Sequence, residues 1–324
     1  MKSTMFSIFY PYREFDNIHD LPLQFEMGDH LGGFDENLGN TLFSNLQNHA
    51  QSNDLEYKIT LYQVVTSQLK EKYPNLTLLS DFQAHDYWNF KHFHNYHVHP
   101  EKSYDHFVCS FNGSPHVGRK LLVAILHRFG WYHPDQISKN FAFDTDVVDG
   151  HLGDYLDLEQ QRFYRKFFIG DDSENFFKTV NSFGHVRFEH ATNIYNLENK
   201  LTSSFLHIIS ETLATSYYPY VTEKFLYSIV TRGLFLAYAQ PNWHVHLEKY
   251  YGFKRYTKLF DYRFDSMQNP IQRLVELITM ISKFQNLTVA DWHDLYLLEQ
   301  DTIEYNYHHY FSGNYLGQLH QYKN

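Results

Sequence analysis

Thr222, Glu223 and Lys224 stand where a tyrosine-rich loop meets an apolar run, in YYPYVTEKFLYSIVTRGLFLAYAQ over residues 217–240. A threonine there can cap a helix by accepting backbone N–H groups, and a carboxylate in the first turn is favoured by the positive end of the dipole. Lys224 fits that scheme poorly, because a cation at the same end is disfavoured unless an anion sits there too. A bound phosphate supplies that anion, with backbone N–H groups, the dipole and the Lys224 ammonium converging on it. Glu223 could then accept hydrogen bonds from a ribose, and a ring of Tyr217, Tyr218 or Tyr220 could lie against the nucleoside. The plain alternative is an exposed Glu-Lys pair in a helix first turn.

A second group of candidate residues is His85, His92, His94, His97 and His99. His-x-His spacing puts two imidazoles on one face of a strand, a geometry that metals use. Asp86 is the nearest carboxylate, no cysteine joins the group, and aromatic residues separate the histidines. In a chain with 22 histidines, a chance cluster in a linker competes with a metal-dependent hydrolase site. One of these histidines could also act as a base.

Several elements must position these residues. Segment 5–10 reads as a strand, 28–39 as a Gly-rich loop, 61–73 as an amphipathic helix stopped by Pro74, and 76–82 as the next strand. After a linker at 85–106, strand 106–112 leads through a turn to helix 116–129. In that helix Leu121, Leu122, Ile125, Leu126 and Phe129 share a face, and Gly130 is placed to end it. The run 205–210 suits a buried parallel strand. An eleven-residue loop then leads to a helix from Thr222, with Phe225, Leu226, Ile229 and Val230 on one side and Gly233 as its stop, and 234–239 is the following strand. A loop at the carboxyl end of such a strand is where open α/β sheets bind ligands. Segments 270–285 and 289–311 read as closing helices, with Pro270 at a first helical position.

The stretch SETLATSYYPYVTEKFLYSIVTRGLFLAYA (210–239) resembles the signature of family-10 α-1,3/4-fucosyltransferases, closely so at Tyr220, Thr222, Glu223 and Lys224. In that family a strand ends in a carboxylate, here Glu211, and a short loop leads into Tyr-x-Thr-Glu-Lys. The segment FVCSFNGSPHVGRKLLVAIL (107–126) is similar to the opening of the same family's donor domain, with Arg119 in the place of an arginine that begins a helix. The likeness covers about residues 105–260 and departs from the family at Thr212 and after Gly233. It implies an α/β fold of two Rossmann-like lobes, the GT-B type, with closing C-terminal helices. The implied divisions are an acceptor-side lobe at 1–103, a donor lobe at 104–285 and a C-terminal helical segment at 286–324. It also implies an inverting glycosyltransferase that needs no metal and binds a nucleotide sugar, GDP-linked, through Arg119, Glu211, Tyr218, Tyr220, Thr222, Glu223 and Lys224. The acceptor is a glycan or another hydroxyl, a modified nucleic-acid base included. A base from the first lobe would take the acceptor proton, with Asp29, Asp35 and Glu36 on the Gly-rich loop as candidates. A non-catalytic nucleotide- or carbohydrate-binding protein is the remaining alternative.

Composition bounds these readings. The 324 residues are 43% hydrophobic, 19% aromatic and 20% charged, a globular profile with length enough for two domains. A formal charge of −10 repels phosphate backbones, and no basic run that would offset it is expected. Cys109 is the single cysteine, so no internal disulfide is possible. The first residues lack a signal-peptide pattern, and no apolar run approaches the roughly 18 residues of a membrane span. A cytoplasmic location is the expectation. Sequons at Asn75, Asn112 and Asn286 are read as chance matches.

Overall fold

Strand β6, Ser204–Ser210, is buried at every position, and so is β7, Leu234–Tyr238. Neither alternates in and out, which is what a parallel strand covered on both faces requires. Together with β5, His106–Cys109, they form a parallel sheet in the order β5-β6-β7, with Val108 opposite Leu206 and Leu206 opposite Leu234. The computed structural model describes residues 4–6, 24–27, 39–61, 64–80, 93, 96, 101–113, 117–139, 141–143, 145–184, 194–211, 214, 219 and 221–315.

The amino-terminal part carries a second parallel sheet in the order β1-β2-β3-β4, from Thr4–Phe6, Gln24–Met27, Tyr57–Leu61 and Leu76–Ser80. Helices α1, Gly39–Asn53, and α2, Ser67–Lys72, belong to this part. The helix expected over 61–73 is shorter than its pattern. Leu61 closes β3, Val64 and Val65 are buried in the connection, and Thr66 caps α2 by accepting the Leu69 N–H. Two β-branched valines resist helical χ1 restriction, and a threonine hydroxyl is better placed at a cap.

Between β5 and β6 run α3, Val117–Arg128, α4, Thr145–Tyr155, α5, Leu158–Ile169, α6, Ser173–Ser182, and α7, Ile194–Thr202. From Leu121 to Leu126 every residue of α3 is buried, so the helix is enclosed all round where one apolar face was expected. Gly130 ends it with φ +73, while the Trp131 N–H reaches back to the Leu126 carbonyl. Phe93 and Tyr96 join this core, Phe93 edge-on to Tyr227 at 5.1 Å and Tyr96 donating its hydroxyl to Glu198 at 2.6 Å.

The helix expected from Thr222 is one 3₁₀ turn, Glu223–Phe225, followed by a short α8, Leu226–Val230. All five residues of α8 are buried, so no solvent face exists. Arg232, not Gly233, takes the left-handed conformation that ends it, φ +50. Its guanidinium is held by Glu304 at 2.8 Å and lies over the Tyr307 ring at 3.4 Å, contacts that hold a non-glycine residue in this conformation. Beyond β7 come α9, Trp243–His246, a π turn, Leu247–Tyr251, a 3₁₀ turn, Tyr262–Ser266, and α10, Pro270–Ser282, with Pro270 at its start as expected.

The expected closing helix over 289–311 is two helices, α11, Val289–Leu298, and α12, Gln300–Phe311. Glu299 interrupts them because its buried carboxylate accepts the backbone N–H groups of Lys258 and Leu259 and the Thr302 hydroxyl. Among the described residues no helix is long and apolar enough to cross a membrane.

Candidate functional site

Glu211 is the first residue beyond β6, and its N–H donates to the Tyr238 carbonyl at the end of β7 at 3.1 Å. That bond prolongs the strand pairing by one step and fixes the carboxylate at the carboxyl edge of the sheet. The side chain is fully buried. One oxygen accepts the Thr222 N–H at 3.1 Å and the other accepts the Thr222 hydroxyl at 2.7 Å. Glu211 thereby staples the far end of the tyrosine-rich loop to the strand that begins it, and both its oxygens are engaged.

Thr222 has the extended backbone of an N-cap, and its oxygen accepts the Lys224 N–H at 3.5 Å. The same oxygen accepts the Lys224 ammonium at 2.7 Å. The Thr222 hydroxyl thus donates a hydrogen bond to Glu211 and accepts one from Lys224. The Lys224 Nζ lies 3.6 Å from Glu211 and 3.9 Å from Glu223, beyond hydrogen-bond reach of either. Of its three N–H groups, one is engaged by Thr222 among the described residues, and the side chain retains 19% exposure.

Arg119 comes to the same place from α3. It lies in the first turn of that helix, is buried, and interacts electrostatically with Glu211 and Glu223. Burial lowers its pKa and the two carboxylates oppose that fall, so the guanidinium stays charged. Five residues singled out in the sequence, Arg119, Glu211, Thr222, Glu223 and Lys224, therefore meet at one sheet edge, two cations among two carboxylates. Tyr217, Tyr218, Tyr220, Asp29, Asp35, Glu36 and the histidines at 85, 92, 94, 97 and 99 lie outside the described residues.

Three further residues shape this edge. Gly118 precedes Arg119, and a Cβ there would stand 3.1 Å from the Ala214 Cβ and 3.2 Å from the Tyr238 ring. Only the missing side chain lets the start of α3 approach the loop after β6 so closely. Arg273, buried in α10, donates to the carbonyls of Ala214, Ala239, Met267 and Gln268 and so ties the loops after β6 and β7 together. Asn112, just beyond β5, is wholly buried; its amide donates to Ser110 at 3.1 Å, and its Oδ1 has no hydrogen-bond partner among the described residues. Asn112 stands immediately before the strand-to-helix turn, which was the available signal. No sequence motif marks Arg273, two of whose four acceptors, the Ala214 and Ala239 carbonyls, are distant along the chain.

Two buried pairs near the sheet are structural. His244 accepts the Ala237 N–H on Nε2 at 3.0 Å, so Nδ1 carries the proton it gives to Asp265 at 2.6 Å. Both nitrogens are occupied, which leaves the ring no lone pair for acid–base work. His207 shares a 2.7 Å hydrogen bond with Ser228, and desolvation pushes its pKa down to about 3. Cys109 is buried with its thiol pushed up to about 12, chiefly by desolvation, and is not a nucleophile at neutral pH.

No protein-family model matches the chain, and comparison with curated proteins and with solved structures found no match.

Proposed function

We propose that the chain is an inverting glycosyltransferase that moves a sugar from a nucleoside diphosphate, GDP-fucose or a relative, to an acceptor hydroxyl on a glycan or other molecule. The observation that carries this reading is the convergence of Arg119 and Lys224, from separate segments, at the carboxyl edge of the β5-β6-β7 sheet, where Glu211 and Thr222 hold the Lys224 segment in place. The likeness of 107–126 and 210–239 to family-10 fucosyltransferase motifs agrees with it, and the two parallel sheets suit a two-lobed GT-B arrangement.

In this reading Lys224 and Arg119 hydrogen-bond the diphosphate and stabilise the charge that grows as it departs. The acceptor oxygen bonds to the anomeric carbon from the face opposite the phosphate, and the carbon–oxygen bond to the β-phosphate breaks with its electron pair leaving on the nucleoside diphosphate. The acceptor proton passes to a base of the amino-terminal part, with Asp29, Asp35 and Glu36 as candidates. Glu211 acts as a positioning residue: with both oxygens bound to Thr222, it keeps the lysine segment seated instead of meeting the donor. Glu223, partly exposed at the rim, is the carboxylate available to a ribose hydroxyl. The two cations supply the charge stabilisation, so the reaction proceeds without a required metal.

The test is a thermal-shift panel of GDP, UDP, CDP, ADP and dTDP on the full chain. The expected result is a rise in melting temperature with one nucleotide, GDP, by binding linkage, and transfer from the matching sugar nucleotide. A panel in which no nucleotide shifts the melting temperature overturns the assignment.

A further inference from the structure

The fifteen residues from Lys249 to Arg263 hold five cations and a single carboxylate, in a chain with a formal charge of −10. The expectation that no basic stretch offsets the acidic surface is therefore corrected. Folding sharpens the contrast. Arg255, Lys258 and Arg263 line an open depression of about 650 Å³, and Lys283, from just beyond α10, completes it together with the Thr257 hydroxyl and Asp261.

The backbone that presents these cations is fixed from behind. The Lys258 and Leu259 N–H groups both donate to buried Glu299, at 2.5 and 3.1 Å, and the Tyr256 N–H donates to the Tyr262 hydroxyl at 3.1 Å. Glu248 orients Arg255 through two contacts to one oxygen, at 2.8 and 2.7 Å, and Asp261 orients Arg263 at 2.5 Å. A guanidinium carries five N–H donors, so both arginines keep donors that these carboxylates do not use. Lys258 and Lys283 are exposed, and neither has a carboxylate within ion-pair distance among the described residues. Glu248 and Asp261 offset the two arginines, so Lys258 and Lys283 carry the excess positive charge of the depression, and bracing of the loop lowers the ordering cost of binding an anion there.

We infer that this depression binds a multiply charged phosphate or sulfate group, at a place separate from the proposed donor site. The separation follows from α10. Its first residue, Pro270, accepts a hydrogen bond from Tyr238 at the carboxyl end of β7, while Phe284, beyond its last turn, meets Phe205 near the amino end of β6. A helix of 13 residues spans roughly 20 Å at 1.5 Å per residue, so Lys283 stands at the opposite sheet edge from Lys224.

The experiment titrates the full chain with sodium tripolyphosphate by calorimetry, and in parallel sediments it with phosphatidylcholine vesicles with and without phosphatidylinositol 4,5-bisphosphate. The variants are K258E/K283E and, as control, K224A; melting by circular dichroism confirms that each folds. Saturable tripolyphosphate binding that survives in K224A and weakens at least about tenfold in K258E/K283E supports the site and a soluble ligand. Vesicle binding that depends on the bisphosphate lipid and on the same two lysines supports the site and assigns it to a headgroup. Binding of neither probe, or binding lost in K224A and unchanged in K258E/K283E, overturns it. The first of those failures leaves the nucleotide panel untouched, so the two proposals fall separately.

Discussion

Replacing Lys224 by alanine separates what this lysine does for the fold from what it does for a donor. Among the described residues its ammonium makes one hydrogen bond, to Thr222 at 2.7 Å, and two longer ion contacts, to Glu211 at 3.6 Å and Glu223 at 3.9 Å. Glu211 keeps its two bonds from Thr222 and the nearby Arg119 charge when the lysine goes. The loss is therefore that of a partly solvated pair, about 1 kcal/mol, or a fall of ~2 °C in melting temperature. Toward a diphosphate the same ammonium makes a charge-assisted hydrogen bond worth about 1.5–3 kcal/mol, which corresponds to a 10- to 150-fold weaker nucleotide. The upper end applies, because the negative charges of Glu211 and Glu223 then remain near the phosphate with Arg119 alone to offset them. Calorimetric titration of K224A with the nucleotide that stabilises the wild type, beside thermal melts of both, reads the two quantities. K224R should recover part of the affinity. Affinity within about twofold of wild type would show that Lys224 does not touch phosphate, and a collapse of the melting temperature would show that it is a structural keystone.

Two further outcomes follow from the packing. Gly118→Ala places a methyl 3.1 Å from Ala214 and 3.2 Å from Tyr238, which pushes the start of α3 off the loop; a stability loss of about 1–3 kcal/mol in urea unfolding and weaker nucleotide binding through Arg119 are expected, and an unchanged affinity would separate Arg119 from the site. Acid should destabilise the protein through His207, whose pKa is pushed down to about 3 by burial from 6.5. Its contribution is complete above about pH 6.5 and is lost as pH falls toward 3, because the unfolded ring takes up the proton that the buried one refuses. At pH 5 this amounts to ~2 kcal/mol, and His246, shifted to the same value by desolvation, acts in the same direction. His207→Asn should flatten the decline in urea midpoint between pH 7 and pH 5, and an equally steep decline would refute the assignment.

Local pattern made much of the carboxyl-terminal sheet legible. The apolar runs at 205–210 and 234–239 are long enough and β-rich enough to be buried parallel strands, and Gly130 marks the end of α3 because left-handed backbone favours glycine. Thr222 and Pro270 announce helix starts through capping and fixed-φ chemistry that acts within one turn. The element lengths were less legible. Val64 and Val65 continue a helical pattern yet are claimed by the core between β3 and α2, and Glu299 continues one yet is drawn out of it by N–H groups forty positions away.

By itself, then, the sequence determined which residue types stand at the mouths of α3 and of the turn at Glu223, and left Lys224 to be balanced either by a bound anion or by a neighbouring carboxylate. The tertiary structure decided that Arg119 and Lys224 share one sheet edge, and that Glu211 binds Thr222 with both oxygens. It also decided that Lys283 joins the cations of the 255–263 loop at the other edge. The physical reason is range: capping, propensity and dipole effects extend a few residues, whereas charge pairing and burial depend on distances that only the parallel register and the packed helices set.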